Sequence, residues 1–128
     1  MEIDSKDIHR IKHIIDYCHK IENVMKKLSG EDKKSSYFDV NNYEIRDLTC
    51  FYLLQIGELS IGLTDEFKNK HSALPWKAIR GFRNIVAHRY DTIDVETVWD
   101  IINSNIPELK EACMNIVLQA QPKVAVEL

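Results

Sequence analysis

The sequence predicts an all-α protein, an antiparallel bundle of four to five helices. Apolar residues recur at steps of three and four in several segments, which is the spacing of one helix face. Polar connections separate these segments, and none shows the strict alternation of a half-buried strand. Since 128 residues can bury one proper core, we expect a single domain over residues 1–121 and a C-terminal tail over 122–128.

The first predicted helix covers residues 5–28. Asp4 or Ser5 can cap it by accepting from the free amides of the first turn. Ser29 and Gly30 end it, because glycine readily adopts the left-handed conformation that follows many helices. Its apolar face consists of Ile8, Ile11, Ile15, Cys18, Ile21, Met25 and Leu28.

A second helix is predicted over residues 43–63, after a polar stretch at 31–42 that we interpret as a loop. Three further apolar residues, Phe51, Leu53 and Leu54, lie off its main stripe. A helix that is apolar on several sides is either central or buried against a partner chain. It is therefore our first candidate for a dimer surface. The main stripe consists of Ile45, Leu48, Tyr52, Ile56, Leu59 and Leu63.

The later helices follow another polar connection, at residues 64–74. Pro75 suits the first position of a helix that runs to about Ala87. Asp94 can cap a helix over residues 95–103. Pro107 is expected to start or kink the last helix, because proline lacks the backbone N–H of a helix interior.

Composition indicates a soluble domain of ordinary type. The formal net charge is −3, and hydrophobic residues make up 45% of the chain. No apolar run reaches the roughly 20 residues that span a bilayer, so we expect a cytoplasmic protein without membrane contact. Cys18, Cys50 and Cys113 are odd in number and form no CxxC pair. We expect buried, reduced thiols rather than disulfides or a zinc site.

The segment with the clearest chemistry is WKAIRGFRNIVAHRY, residues 76–90, which is rich in bases and lacks acids although the chain has 20 acids and 17 bases. A helix of this sequence sorts its side chains onto two arcs. The arc expected to face the core holds Ala78, Ile79, Phe82, Ile85 and Val86. The opposite arc holds Arg80, Arg83, Asn84 and His88, beside the small Gly81 and Ala87. The other bases are Lys77 and Arg89. The segment therefore predicts a helix with one anion-binding face.

Arg83 and His88 are separated by a helical rise of about 7.5 Å, which suits two groups that flank one phosphodiester. Arginine offers a fixed fork of donors to phosphate oxygens. Histidine exchanges protons near neutral pH, as RNA transesterification requires. The 2′-hydroxyl of RNA can be the nucleophile, so neither a metal nor a protein nucleophile is required. Tyr90 is close enough to donate to a phosphate or to orient a base.

Residues 83–90, RNIVAHRY, resemble the R-x4-H-x-Y motif of the HEPN superfamily. They are most similar to HepT toxins, which are encoded beside a minimal nucleotidyltransferase antitoxin (MntA). The similarity extends over residues 76–94, the helix around Trp99 and the position of Pro107. The resemblance implies a HEPN-type bundle and a metal-independent endoribonuclease that needs no cofactor.

The resemblance also implies roles for individual residues. Arg83 and His88 would be the catalytic pair, and Asn84 would help to arrange the site. Tyr90 matches the tyrosine to which the nucleotidyltransferase adds AMP. The added phosphate and bulk would repel and block an RNA phosphate. The remaining bases, Lys77, Arg80 and Arg89, would contribute to RNA binding or to the organisation of the site.

The resemblance implies partners as well. HepT-like members form homodimers in which two motifs line one cleft, cleave RNAs that include tRNA, and pair with the nucleotidyltransferase in a type VII-like toxin–antitoxin system. Some HEPN domains, however, do not cleave RNA but only bind it or hold a partner protein. The alternative function is a non-catalytic module that pairs with a nucleotidyltransferase and presents RNA or another substrate to it.

A few side chains outside this segment also suggest chemistry. His9 and His13 have the i, i+4 spacing of a metal pair, but no third ligand is evident, so we interpret them as a solvated helix face. Trp99 is expected to pack in the bundle, whereas Trp76 could either pack or stack on bases. The cluster of Tyr37, Phe38 and Tyr43 could cover a dimer interface or contact the nucleotidyltransferase.

Overall fold

The computed structural model describes residues 5–87 and 94–120, and within these ranges it contains helices and no strand. The predicted all-α class is confirmed. The helices are α1 (Ser5–Met25), α2 (Lys33–Phe38), α3 (Tyr43–Ile61), α4 (Asp65–Lys70), α5 (Trp76–Ala87), α6 (Val95–Asp100) and α7 (Ile106–Ala120). A 3₁₀ turn, Val40–Asn42, precedes α3. The predicted tail at 122–128 lies outside the described residues.

Four longer helices build the bundle. The third helix packs against both α1 and α5, and α1 also packs against α7. Polar contacts show that α1 runs antiparallel to its neighbours: Asp7, near its start, bonds to Thr64 beyond the end of α3. Glu22, near its end, accepts at 2.7 Å from Lys110 in the first half of α7. The antiparallel arrangement therefore holds for α1 with both α3 and α7.

The predicted apolar face of α1 is confirmed, although the helix ends at Met25, three residues early. Leu28 is still buried beyond that end. Gly30 has a φ of +90°, as expected of a glycine that reverses the chain after a helix. Of the two proposed caps, Asp4 lies outside the described residues. Buried Ile14 and Val24 widen the face beyond the predicted stripe, because α1 packs between two helices.

The predicted main stripe of α3 is partly wrong. Leu48 is 40% exposed, whereas Leu53, which we placed off the stripe, is fully buried. Ile56 is buried as predicted. The cause is the central position of α3: it must face α1 and α5 at once, so its core-facing arc is wider than one stripe.

The prediction of a loop at 31–42 is wrong, since α2 lies inside it. Asp32 caps α2 by accepting from the backbone N–H of Ser35 at 3.1 Å. Tyr37 is fully buried and its hydroxyl lies 2.8 Å from Oγ1 of Thr49. Burial raises the pKa of the Tyr37 hydroxyl above its ordinary value. Tyr37 is the single buried residue of α2, so the sequence shows no apolar periodicity from which this helix could be recognised.

The connection at 64–74 likewise contains a short helix, α4, that the sequence did not predict. Thr64 caps it by accepting from the N–H of Phe67 at 3.1 Å, and Phe67 is the buried residue that holds it on the core.

Asp7 ties the start of α1 to this same Thr64. Asp7 is 1% exposed, and its carboxylate accepts from the backbone N–H and the hydroxyl of Thr64, at 2.9 and 2.7 Å. Asp7→Ala would leave both donors without their acceptor, and hydrogen bonds to charged groups contribute about 1.5–3 kcal/mol. We expect a decrease of about 2 kcal/mol in the free energy of unfolding, measured by urea denaturation. Asp16→Ala, at an exposed position of the same helix, is the control and should be nearly neutral. Equal denaturation midpoints for the two variants would contradict the prediction.

The chain from α6 to α7 confirms two further predictions. Asp94 caps α6, accepting from the N–H groups of Glu96 and Thr97. Pro107 is the second residue of α7, where its missing N–H costs least. A π-helical turn, Ile101–Asn105, joins the two helices immediately before it. Such single π-helical turns occur as short insertions between α-helical segments.

The three cysteines are buried and free, as predicted. Burial raises the pKa of Cys18 and of Cys113 to about 12, and that of Cys50 to about 11. They are therefore core thiols rather than activated nucleophiles. Within the described ranges, no helix is both long enough and apolar enough to cross a membrane.

Candidate active site

Helix α5 separates its side chains largely as the sequence predicts. Ile79 and Phe82 are buried and Ile85 is partly buried. The basic face is exposed and consists of Lys77, Arg80, Arg83 and Asn84. The prediction is wrong for Ala78, which is exposed because it lines an open pocket of about 220 Å³ between α5 and α7 rather than the core. His88, Arg89, Tyr90 and the side chain of Val86 lie outside the described residues.

The first turn of α5 is anchored by Trp76. Its indole N–H donates to the carbonyl oxygen of His71 at 3.0 Å, and its ring centroid lies 6.2 Å from that of Phe67. Trp76 therefore packs against the core, the first of its two predicted alternatives. Burial lowers the pKa of His71, whose Nε2 is buried without a hydrogen-bond partner in the described part of the chain. The packed indole fixes where the basic face of α5 begins.

Gly57 of α3 sets the position of the Arg83 backbone. A Cβ atom on Gly57 would lie 2.9 Å from the backbone nitrogen of Arg83 and 3.1 Å from its Cβ. Real Cβ atoms essentially never lie within 3.0 Å of a backbone atom, so glycine is needed for this approach. Sequence reasoning missed Gly57. The available signal was a glycine inside an apolar helix, which often marks close packing.

Glu58, the next residue of α3, contacts the Arg83 side chain. Its Oε1 lies 2.5 Å from Nε of Arg83, and the two side chains are 48% and 44% exposed. Sequence reasoning missed Glu58 as well, because it lies 25 positions before Arg83 and outside the acid-free segment. The fold therefore adds an acidic side chain to a face that has no acid of its own along the sequence.

The other candidate aromatics divide between core and surface. Tyr37 packs inside the bundle, with its ring centroid 5.5 Å from that of Trp99. Trp99 is partly buried against the core, as predicted. Phe38 and Tyr43 are exposed and stay available for contacts. Tyr37 is therefore removed from the predicted contact cluster.

His9 and His13 are exposed on α1, and their Nε2 atoms lie 3.1 Å apart. One ring nitrogen donates to the other, which accounts for their edge-to-face orientation. Among residues 5–87 and 94–120, no group of three or more histidine, cysteine or acidic side chains could hold a metal ion. Each histidine is therefore the hydrogen-bond partner of the other, on an exposed face of α1.

Together, these features define a helical-bundle domain that presents two exposed arginines, Arg80 and Arg83, on a firmly packed helix, a surface suited to phosphate groups. The family model described as "Ribonuclease HepT-like" matches residues 9–116, and the chain belongs to this family. The description of this family names a ribonuclease, an enzyme that cleaves RNA.

Three relatives illustrate the similarity. The chain is 31% identical to "Putative RNase TTE0752" of Caldanaerobacter subterraneus subsp. tengcongensis, over 83% of this chain and 89% of that one. It is 30% identical to "Probable ribonuclease HepT" of Thermococcus cleftensis, over 62% and 63%. It is 28% identical to "Gamma-glutamylcyclotransferase and putative RNase MJ0434" of Methanocaldococcus jannaschii, over 83% and 45%. The chain thus spans less than two thirds of the last two relatives. No solved structure matches the chain.

Proposed function

We propose that this protein is the toxin of a type VII-like toxin–antitoxin pair, a cytoplasmic endoribonuclease that cleaves RNA, including tRNA, without a metal. Membership of the HepT-like family, together with the seating of exposed Arg83 against α3, carries the proposal. A guanidinium on a rigid helix can hold a phosphate in one orientation. Arg83 and His88 are the proposed catalytic pair, with Tyr90 beside them.

The proposed reaction is an internal transesterification of RNA. The 2′-oxygen forms a bond to phosphorus and the bond from phosphorus to the 5′-oxygen breaks, which leaves a 2′,3′-cyclic phosphate and a 5′-hydroxyl. The 2′-hydroxyl loses a proton and the leaving oxygen gains one, so the reaction needs proton exchange near neutral pH, which His88 supplies. Arg83 stabilises the negative charge that builds on the phosphate oxygens. Asn84, Arg80, Lys77 and Arg89 bind or align the RNA.

The test compares the chain expressed alone with a variant that carries both Arg83→Ala and His88→Ala. We expect the unaltered chain to arrest growth and the purified protein to produce cyclic-phosphate ends in the presence of EDTA. The variant should do neither while keeping the same helical content. A variant that still cleaves would overturn the proposed site. A chain that neither arrests growth nor cleaves RNA would favour the non-catalytic binding module instead.

We also propose a homodimer that forms through the exposed side of α3. Phe51 and Leu48 are 50% and 40% exposed, although they are large apolar side chains in a well-packed bundle. Phe51 lies seven residues, about two helical turns, before Glu58, and Leu48 lies three residues before Phe51. This side of α3 therefore extends to Glu58 and its partner Arg83. A dimer across this face would place two Arg83 side chains near one cleft.

Phe51→Asp should dissociate this dimer, because it places a charge in an apolar contact. We expect the mass measured by light scattering to halve at micromolar concentration, with little change in helical content. Met114→Asp alters a similarly exposed apolar side chain on α7 and is the control. Retention of the dimer by Phe51→Asp would place the interface elsewhere.

The proposed partner is an MntA-like nucleotidyltransferase that adds AMP to Tyr90. Tyr90→Phe removes the acceptor oxygen, so co-expression with the transferase should no longer silence the toxin, and intact mass should show no added AMP. Unaltered protein should gain mass in whole AMP units and lose activity. Full neutralisation of Tyr90→Phe would contradict this mode of control.

A further inference from the structure

Two consecutive residues of α3 hold Arg83. Gly57 allows the backbone of Arg83 to lie directly against α3, and the Glu58 carboxylate reaches Nε of its side chain at 2.5 Å. The arginine is thus restrained near its Cα by packing and at the start of its guanidinium by an ion pair. Neither restraint involves the helix on which Arg83 itself lies.

The atom that is contacted matters for phosphate binding. Arginine presents five N–H donors in a planar fork, and Nε–H is the donor nearest the chain. A carboxylate on Nε fixes the plane of the fork while the two outer nitrogens stay on its far edge. These outer nitrogens can then donate in parallel to two oxygens of one phosphate.

We propose that Glu58 is a positioning residue of the active site, which orients the Arg83 guanidinium towards the scissile phosphate. This inference rests on the proposed function, because it needs Arg83 to touch the substrate. Half-exposed arginine side chains otherwise move among many rotamers, and ordering one lowers entropy. Glu58 orders it before RNA arrives, so less ordering remains when the substrate binds.

A second role for this carboxylate would produce the opposite kinetics. An acid beside Arg83 also repels an RNA phosphate. If repulsion were the main effect, removal of the charge would strengthen RNA binding and leave turnover intact. If positioning is the main effect, removal of the contact reduces turnover while RNA still binds through the other bases.

The experiment measures kcat and KM of the full-length protein on one RNA oligonucleotide for Glu58→Ala and Glu58→Gln. Glutamine keeps an oxygen that accepts from Nε–H but carries no charge. We expect Glu58→Ala to lower kcat by about 10- to 100-fold with KM changed less than about threefold, since small misplacement of a catalytic group has effects of this size. Glu58→Gln should recover most of that kcat. Glu44→Gln removes a charge from an exposed position of the same helix and should match the unaltered protein.

Two results would overturn the proposal. One is a kcat for Glu58→Ala equal to that of the unaltered protein; the other is a lower KM with unchanged kcat for both Glu58 variants.

Arg83→Ala, alone and combined with Glu58→Ala, separates this inference from the proposed function. If Arg83→Ala remains active, the proposed site itself is wrong. If Arg83→Ala is inactive and Glu58→Ala is not, only the positioning role fails. If Glu58 acts by positioning Arg83, the double variant should have the same residual rate as Arg83→Ala alone.

Discussion

Replacement of Arg83 by lysine is expected to lower kcat by about 10²–10³-fold, nearly as much as replacement by alanine. Lysine keeps the positive charge but presents a single ammonium group. It cannot contact Glu58 through one nitrogen and hold two phosphate oxygens through two others, as the arginine fork can. The measurement is single-turnover cleavage with enzyme in excess over RNA, which isolates chemistry from product release.

Arg80→Lys is the matched control for this prediction. Arg80 lies on the same exposed face, one turn earlier, and Glu58 is not its partner in the structure. Its proposed role is to bind RNA, for which a lysine charge is nearly sufficient. We expect at most a severalfold increase in KM. If Arg83→Lys kept more than half of the original rate, charge alone would explain the role of Arg83.

The sequence predicted those parts of the fold in which local signals are strong. The signals for three features lie close together along the chain: the long periodic segment of α1, the capping carboxylate of Asp94 and the start of α7 at Pro107. The short helices α2 and α4 were missed because each is held by a cap and a single buried aromatic, Tyr37 or Phe67. Whether such a turn forms depends on the cavity that receives the aromatic, which only the assembled bundle defines.

The same distinction between local signals and contacts made only in the assembled bundle applies to the candidate site. Residues on α5 could be placed from the spacing of 12 consecutive residues, and the exposure of Arg80, Arg83 and Asn84 confirms that placement. Gly57 and Glu58 could not, because their relation to Arg83 arises from the packing of α3 on α5. A basic segment predicts a face for phosphate, whereas the groups that contact its arginine belong to another helix.

Gly57→Val is expected to have the largest effect on stability, because it disturbs a close approach of α3 to the Arg83 backbone on α5. The first side-chain carbon alone would lie 2.9 Å from the Arg83 backbone nitrogen, and valine adds two methyl groups. Overpacking of this kind costs about 1–3 kcal/mol or more, so we expect a decrease of about 3 kcal/mol in the free energy of unfolding. Urea denaturation followed by circular dichroism measures it.

Gly81→Ala provides the control, because a Cβ at Gly81 would meet nothing within 4 Å. Glycine is the poorer helix former by about 1 kcal/mol, so this variant should be as stable as the unaltered protein or more stable. Opposite signs at two helical glycines would show that packing, rather than helix propensity, determines the effect at Gly57. The activity of Gly57→Val should also fall, because relief of the clash moves the backbone of Arg83. It is measured without denaturant, at a temperature at which the variant is fully folded. A folded, stable and fully active Gly57→Val would show that α3 does not set the position of Arg83.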